Sequence, residues 1–135
     1  MRKEYLPALI WAILILVLCA IPGDKIPEIT FWQWLRWDKL VHLFLFGVLS
    51  IFLLGANSAI KKRPLSFKEY CFWILLTIAY GAAIEIMQAT LFIQRSGDLR
   101  DAIANAIGAI SGGYFFSRKK WSVCWFECLN IKSRD

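Results

Sequence analysis

An all-α polytopic membrane protein is the fold class this sequence predicts, as a bundle of four transmembrane helices followed by a short amphipathic C-terminal tail. Three observations predict it. Of the 135 residues, 59% are hydrophobic and 16% aromatic, above the roughly 45–50% apolar share of soluble domains. The apolar residues come in long runs, and four crossings of about 20 residues each use most of the chain. The basic residues responsible for the net charge of +6 sit in short blocks between those runs, where the positive-inside bias accounts for them without a nucleic-acid partner. One domain, residues 1–118, therefore carries the helices, 119–135 forms the tail, and no room remains for a soluble enzyme domain.

Arg2 and Lys3 precede the first apolar run, predicted as helix 1 over about 5–21. It ends in Cys-Ala-Ile-Pro-Gly, which lacks a small-x-small cleavage pattern, so the run is expected to be retained rather than removed as a signal peptide. Pro7 is tolerated in the first turns, and Pro22 with Gly23 closes the helix. Asp24 to Trp37 carries Phe31, Trp32, Trp34 and Trp37, the residues that headgroup layers attract, and is read as a surface connection. Asp38 and Lys39 open helix 2, about 39–60, with His42 one turn inside. Lys61, Lys62, Arg63 and Lys68 make a basic loop. Helix 3 runs over about 70–93, Gln94 to Gly97 turns the chain, and helix 4 covers about 98–116 with Asp98 as its cap. Beyond it, Trp121, Cys124, Trp125, Cys128 and Leu129 recur at helical spacing as an interfacial tail. The four cysteines have neither disulfide nor zinc spacing and read as reduced apolar fillers.

Polar residues inside hydrocarbon are functional suspects, and Glu85, Gln88, Arg95, Asp98, Asp101 and Asn105 cluster on either side of the predicted turn. Glu85 and Gln88 share one helix face, Asp101 and Asn105 another, and Gly108 and Gly112 continue the second face as a small-xxx-small surface, with Gly81 as its expected counterpart on helix 3. A rise of about 1.5 Å per residue then puts Gln88 beside Asn105 and Glu85 deepest, beside Gly108. Of the 16 Lys and Arg residues, eleven lie at the N-terminus, in the second loop and in the tail, against five on the other side. Both termini are therefore predicted in the cytoplasm. Asp38, Lys39, His42, Arg95, Asp98 and Asp101 then meet at the outer face. His42, Glu85 and Asp101 are the candidate acid and base groups. No cofactor is expected, and no metal, since a single histidine cannot make a multi-histidine site.

The order Trp-Asp38-Lys39-Leu-Val-His42, Glu85-x-x-Gln88 and Arg95-x-x-Asp98-x-x-Asp101-x-x-x-Asn105-x-x-Gly108-x-x-x-Gly112 resembles the VanZ-like family of small bacterial membrane proteins over roughly residues 20–116. The resemblance implies a multi-pass protein of the bacterial inner membrane, with Asp38, Lys39, His42, Glu85, Gln88, Arg95, Asp98, Asp101 and Asn105 as site residues. The family's eponymous member is associated with low-level resistance to the glycopeptide teicoplanin. The function expected is binding of an amphiphile, such as a lipid, a lipid-linked cell-wall intermediate or a lipoglycopeptide, or of a partner protein, with the bilayer as the obligatory surroundings. Two other classes stay open. One is an enzyme acting on a lipid headgroup with His42 as base, and the other a proton-coupled transporter or flippase component using Glu85, for which four short helices would have to oligomerise.

Overall fold

The structure is a computed structural model that describes residues 2–21, 31–92 and 97–118, with 31–38 described by their backbone only. After one 3-10 turn at Lys3–Tyr5, its elements are α1 (Leu6–Ala20), α2 (Phe31–Lys61), α3 (Phe67–Thr90) and α4 (Leu99–Arg118), and no strand occurs among the described residues. Three segments are long and apolar enough to cross a membrane: Lys3–Ala20, Lys39–Lys61 and Phe67–Thr90. The fourth is a helix of 20 residues but less apolar, for a local reason. Its inner face is Asp101, Ala104, Asn105, Gly108, Ala109, Gly112 and Gly113, all buried, while Ile103, Ile107, Ile110 and Tyr114 look outward. The predicted tail, with Cys124 and Cys128, lies outside the described residues.

α1 buries a narrow stripe, Ala8, Ile15 and Cys19, against Leu45, Phe46 and Leu49 of α2 and Ile84 of α3. Its other faces carry exposed Ile10, Ile13 and Val17, as expected of a helix that meets lipid on most sides. Two aromatic donors bind backbone carbonyls across helices: the Trp11 indole N–H donates to the Leu45 carbonyl at 2.9 Å, and the Tyr80 hydroxyl to the Ala12 carbonyl at 2.7 Å. Both bury a large ring without orphaning its polar atom.

α2 begins eight residues before the predicted boundary. The Trp-rich stretch from Phe31 is helix rather than irregular surface chain, because after Pro27 no proline or glycine interrupts it until Gly47. Its 31 residues span about 46 Å at 1.5 Å per residue, against a hydrocarbon core of about 30 Å. Lys39 consequently lies inside a continuous helix. At the other end Lys62 takes a left-handed φ of 50° and stops α2. Ser66 and Glu69 then open α3 with a reciprocal capping box, a Ser-x-x-Glu pattern legible in the sequence. Lys61 and Arg63 both pair with the Glu69 carboxylate, which ties the basic loop to the start of α3.

The tightest approach in the bundle is between α2 and α4. A Cβ on Gly108 would collide with the backbone carbonyl of Leu43, one on Gly112 with that of Gly47, and one on Gly47 would stand 3.2 Å from the Gly108 carbonyl oxygen. The expectation that Gly108 and Gly112 let α4 approach Gly81 of α3 is therefore corrected: their partner surface is on α2, centred on Gly47. Gly81 has a separate role. A Cβ there would lie 2.9 Å from the Asn105 Cβ and 3.1 Å from the Phe46 ring, so its missing side chain is the space that Asn105 fills.

Candidate functional site

Where α4 starts, α2, α3 and α4 bring their polar residues together. Asp98 sets the geometry. Its carboxylate accepts the Arg100 backbone N–H at 2.9 Å, capping α4, and its own N–H donates to Glu85 Oε2 at 3.2 Å. The capping N–H, with the nearby Lys39 ammonium, holds the Asp98 carboxyl below the usual carboxylate range. One turn into the helix, Asp101 accepts from Lys39 Nζ at 2.9 Å, and the same ammonium lies 3.6 Å from Asp98. Lys39 thus bridges the first turn of α4 to α2.

The next turn carries Asn105, which is 1% exposed. Its Nδ2 donates to Glu85 Oε1 at 3.2 Å and its Oδ1 lies 2.9 Å from His42 Nδ1. The amide is polarised by this pairing. With its NH₂ committed to a carboxylate, its oxygen faces the imidazole, so the contact calls for the proton on His42 Nδ1. His42, Glu85 and Asp101 are 6%, 8% and 9% exposed, and one ligand atom from each lies within 4.8 Å of the others. These three residues are able to share one small ligand, a proton donor or a cation.

The assembled set differs from the expected layers by about one helical turn. Lys39 pairs with Asp98 as expected but also with Asp101, His42 lies near Asp101 but faces Asn105 as well, and Glu85 bonds Asp98 and Asn105 rather than lying beside Gly108. Gln88 turns its amide nitrogen to α1, where Nε2 donates to the Cys19 carbonyl at 3.2 Å. Arg95 and the Asp38 side chain lie outside the described residues. Sequence reasoning passed over Gly47, which stands four residues after Leu43 on the face that meets α4. It also set metals aside by counting histidines, without weighing a mixed imidazole and carboxylate set drawn from three helices.

Apolar helices of spanning length around a buried group of charged and amide side chains define an integral membrane protein with an internal polar cluster. Within that class, the VanZ/LLP1 family model matches residues 5–121. The chain belongs to this VanZ-like family. Comparison with curated proteins and with solved structures gives no match.

Proposed function

We propose that this chain is a bacterial inner-membrane protein that receives the polar headgroup of an amphiphile in the cluster of Lys39, His42, Glu85, Asp101 and Asn105. The observation that carries the reading is the convergence of five buried or half-buried polar side chains from three helices at one level, in a bundle whose outer faces are apolar. Polar groups held in hydrocarbon without a task cost stability. Carboxylates at Glu85 and Asp101 accept hydroxyl or ammonium donors, and Lys39 offers a partner to phosphate. Family association suggests lipid-linked cell-wall intermediates and lipoglycopeptides as probes. Purified protein in nanodiscs is expected to retain teicoplanin or a lipid-linked cell-wall intermediate, and Lys39→Ala and Glu85→Ala each to release it. Equal retention by wild type and variants ends this reading.

In the proposed topology α4 also crosses, both termini are cytoplasmic, and the cluster opens to the outer face. Support comes from the distribution of basic residues and from the close seat of α4 against α2. In a chain stripped of its native cysteines, Arg100→Cys is expected to react with a membrane-impermeant thiol reagent in intact cells and Pro64→Cys only after lysis. The reverse pattern inverts the topology.

A second reading is favoured by one contact. Asn105 holds the His42 ring through Nδ1, and the imidazole, with a ring nitrogen within 4.8 Å of the Asp101 and Glu85 oxygens, is placed for proton transfer with a bound headgroup. His42→Ala that abolishes turnover of a labelled envelope lipid while sparing its binding would establish the enzyme.

A further inference from the structure

We propose that His42, Glu85 and Asp101 form a site for a divalent cation of the Mn²⁺ or Zn²⁺ class, one ligand coming from each of α2, α3 and α4. This takes the polar cluster as the functional site, the reading proposed above, but it requires no amphiphile. Nitrogen and oxygen ligands at about 2.0–2.2 Å from a metal stand roughly 3–4 Å apart. The three ligand atoms, all within 4.8 Å of one another, reach that spacing by small side-chain rotations.

The surroundings match what a metal-bound histidine requires. A ligating imidazole characteristically hydrogen-bonds an acceptor through its other ring nitrogen, and the Asn105 oxygen stands 2.9 Å from His42 Nδ1. The same amide steadies Glu85 through Nδ2, and the Asp98 N–H holds the other Glu85 oxygen. Charge points the same way. Among the described side chains at the cluster, Asp98 and Asp101 face the Lys39 ammonium, and Glu85 adds a third carboxyl group held by Asn105 and the Asp98 N–H. Three carboxyl groups and an imidazole gathered about one ammonium are a donor set that a divalent cation suits. An imidazole with two carboxylates is a borderline-to-hard donor set that selects such ions over soft ones. Three protein ligands also leave a coordination position open for water or a headgroup oxygen.

Lys39 makes the test directional. Its ammonium occupies Asp101 Oδ1 at 2.9 Å and competes with a cation for that carboxylate. The full chain in detergent, stripped with chelator, is titrated with Mn²⁺ and free ion followed by electron paramagnetic resonance; Mn²⁺ is chosen because thiolates in the tail bind it poorly. One saturable site per chain is expected. Glu85→Gln and Asp101→Asn should each weaken it at least about tenfold and Asn105→Ala by about 10- to 100-fold, whereas Lys39→Ala should tighten it. A gain in affinity cannot come from misfolding. In the retention experiment above, Lys39→Ala acts in the opposite direction, so the two ideas fail separately. No saturable site in the wild type, or a site indifferent to both Glu85→Gln and Lys39→Ala, overturns the proposal.

Discussion

Gly108→Leu is expected to abolish the folded bundle, and even Gly108→Ala to cost toward the upper end of the roughly 1–3 kcal/mol that overpacking typically exacts. The reason is what a Cβ at 108 would meet. It would run into the Leu43 carbonyl oxygen and stand 2.9 Å from both the Leu43 carbonyl carbon and Cα. A side chain can swing aside, but a helix backbone yields only if the helices part. Between membrane helices no hydrophobic gain offsets that separation, since lipid solvates apolar faces as well as protein does, and close packing supplies most of the attraction. Gly112→Ala, aimed at the Gly47 carbonyl, should behave alike. Ile107→Ala, on the exposed face, should be nearly neutral. Thermal unfolding in detergent orders the variants, and equal midpoints for Gly108→Ala and Ile107→Ala would show that α4 does not depend on this contact.

How far the sequence reached is plain at the same helix. The three- and four-residue spacings of Asp101, Asn105, Gly108 and Gly112 put them on one face of α4, and all four are buried. A spacing fixes a face on its own helix. It does not say which neighbour the face meets or at what height. Those are set where two backbones approach, and the approach is at Gly47, a residue with no motif of its own. The register therefore slid by about a turn, so that His42 faces Asn105 and Gln88 turns to α1. The early start of α2 escaped notice for another reason. A Trp-rich stretch after proline suits the headgroup layer in either conformation, and composition alone does not distinguish a helix there from a loop.

Asn105→Leu is the second large effect expected, and it should be larger on function than on stability. Leucine keeps the branched outline at a somewhat larger volume but supplies neither donor nor acceptor. Glu85 keeps its bond from the Asp98 N–H, while Oε1 and His42 Nδ1 lose their partner at a position that is 1% exposed. Leaving such groups unsatisfied costs about 1–3 kcal/mol, to be read as a lower unfolding midpoint. Function should fall further, because the amide no longer selects the Nδ1–H form of the imidazole or ties Glu85 to it. Asn105→Asp separates the two roles. It keeps an acceptor for His42 but turns a second carboxylate on Glu85, so it should destabilise more than Asn105→Leu at neutral pH. The excess should vanish on acidification, when one proton is shared between the two carboxylates. Midpoints that do not depend on pH in Asn105→Asp would show that the amide does not face Glu85.

The mixed character of α4 also bears on how the protein is made. A helix whose inner face is Asp101, Asn105, Gly108, Gly112 and Gly113 partitions poorly into lipid by itself, since that face offers little apolar surface and several polar groups. In the proposed topology α4 follows α3 after only eight residues, Leu91 to Asp98, so the two are synthesised as one hairpin. α2 has by then already left the ribosome. The surface of Leu43 and Gly47 that waits on α2 would make membrane entry of α4 a templated event rather than an autonomous one, and a chain from which α1 and α2 are deleted should leave α4 unable to integrate.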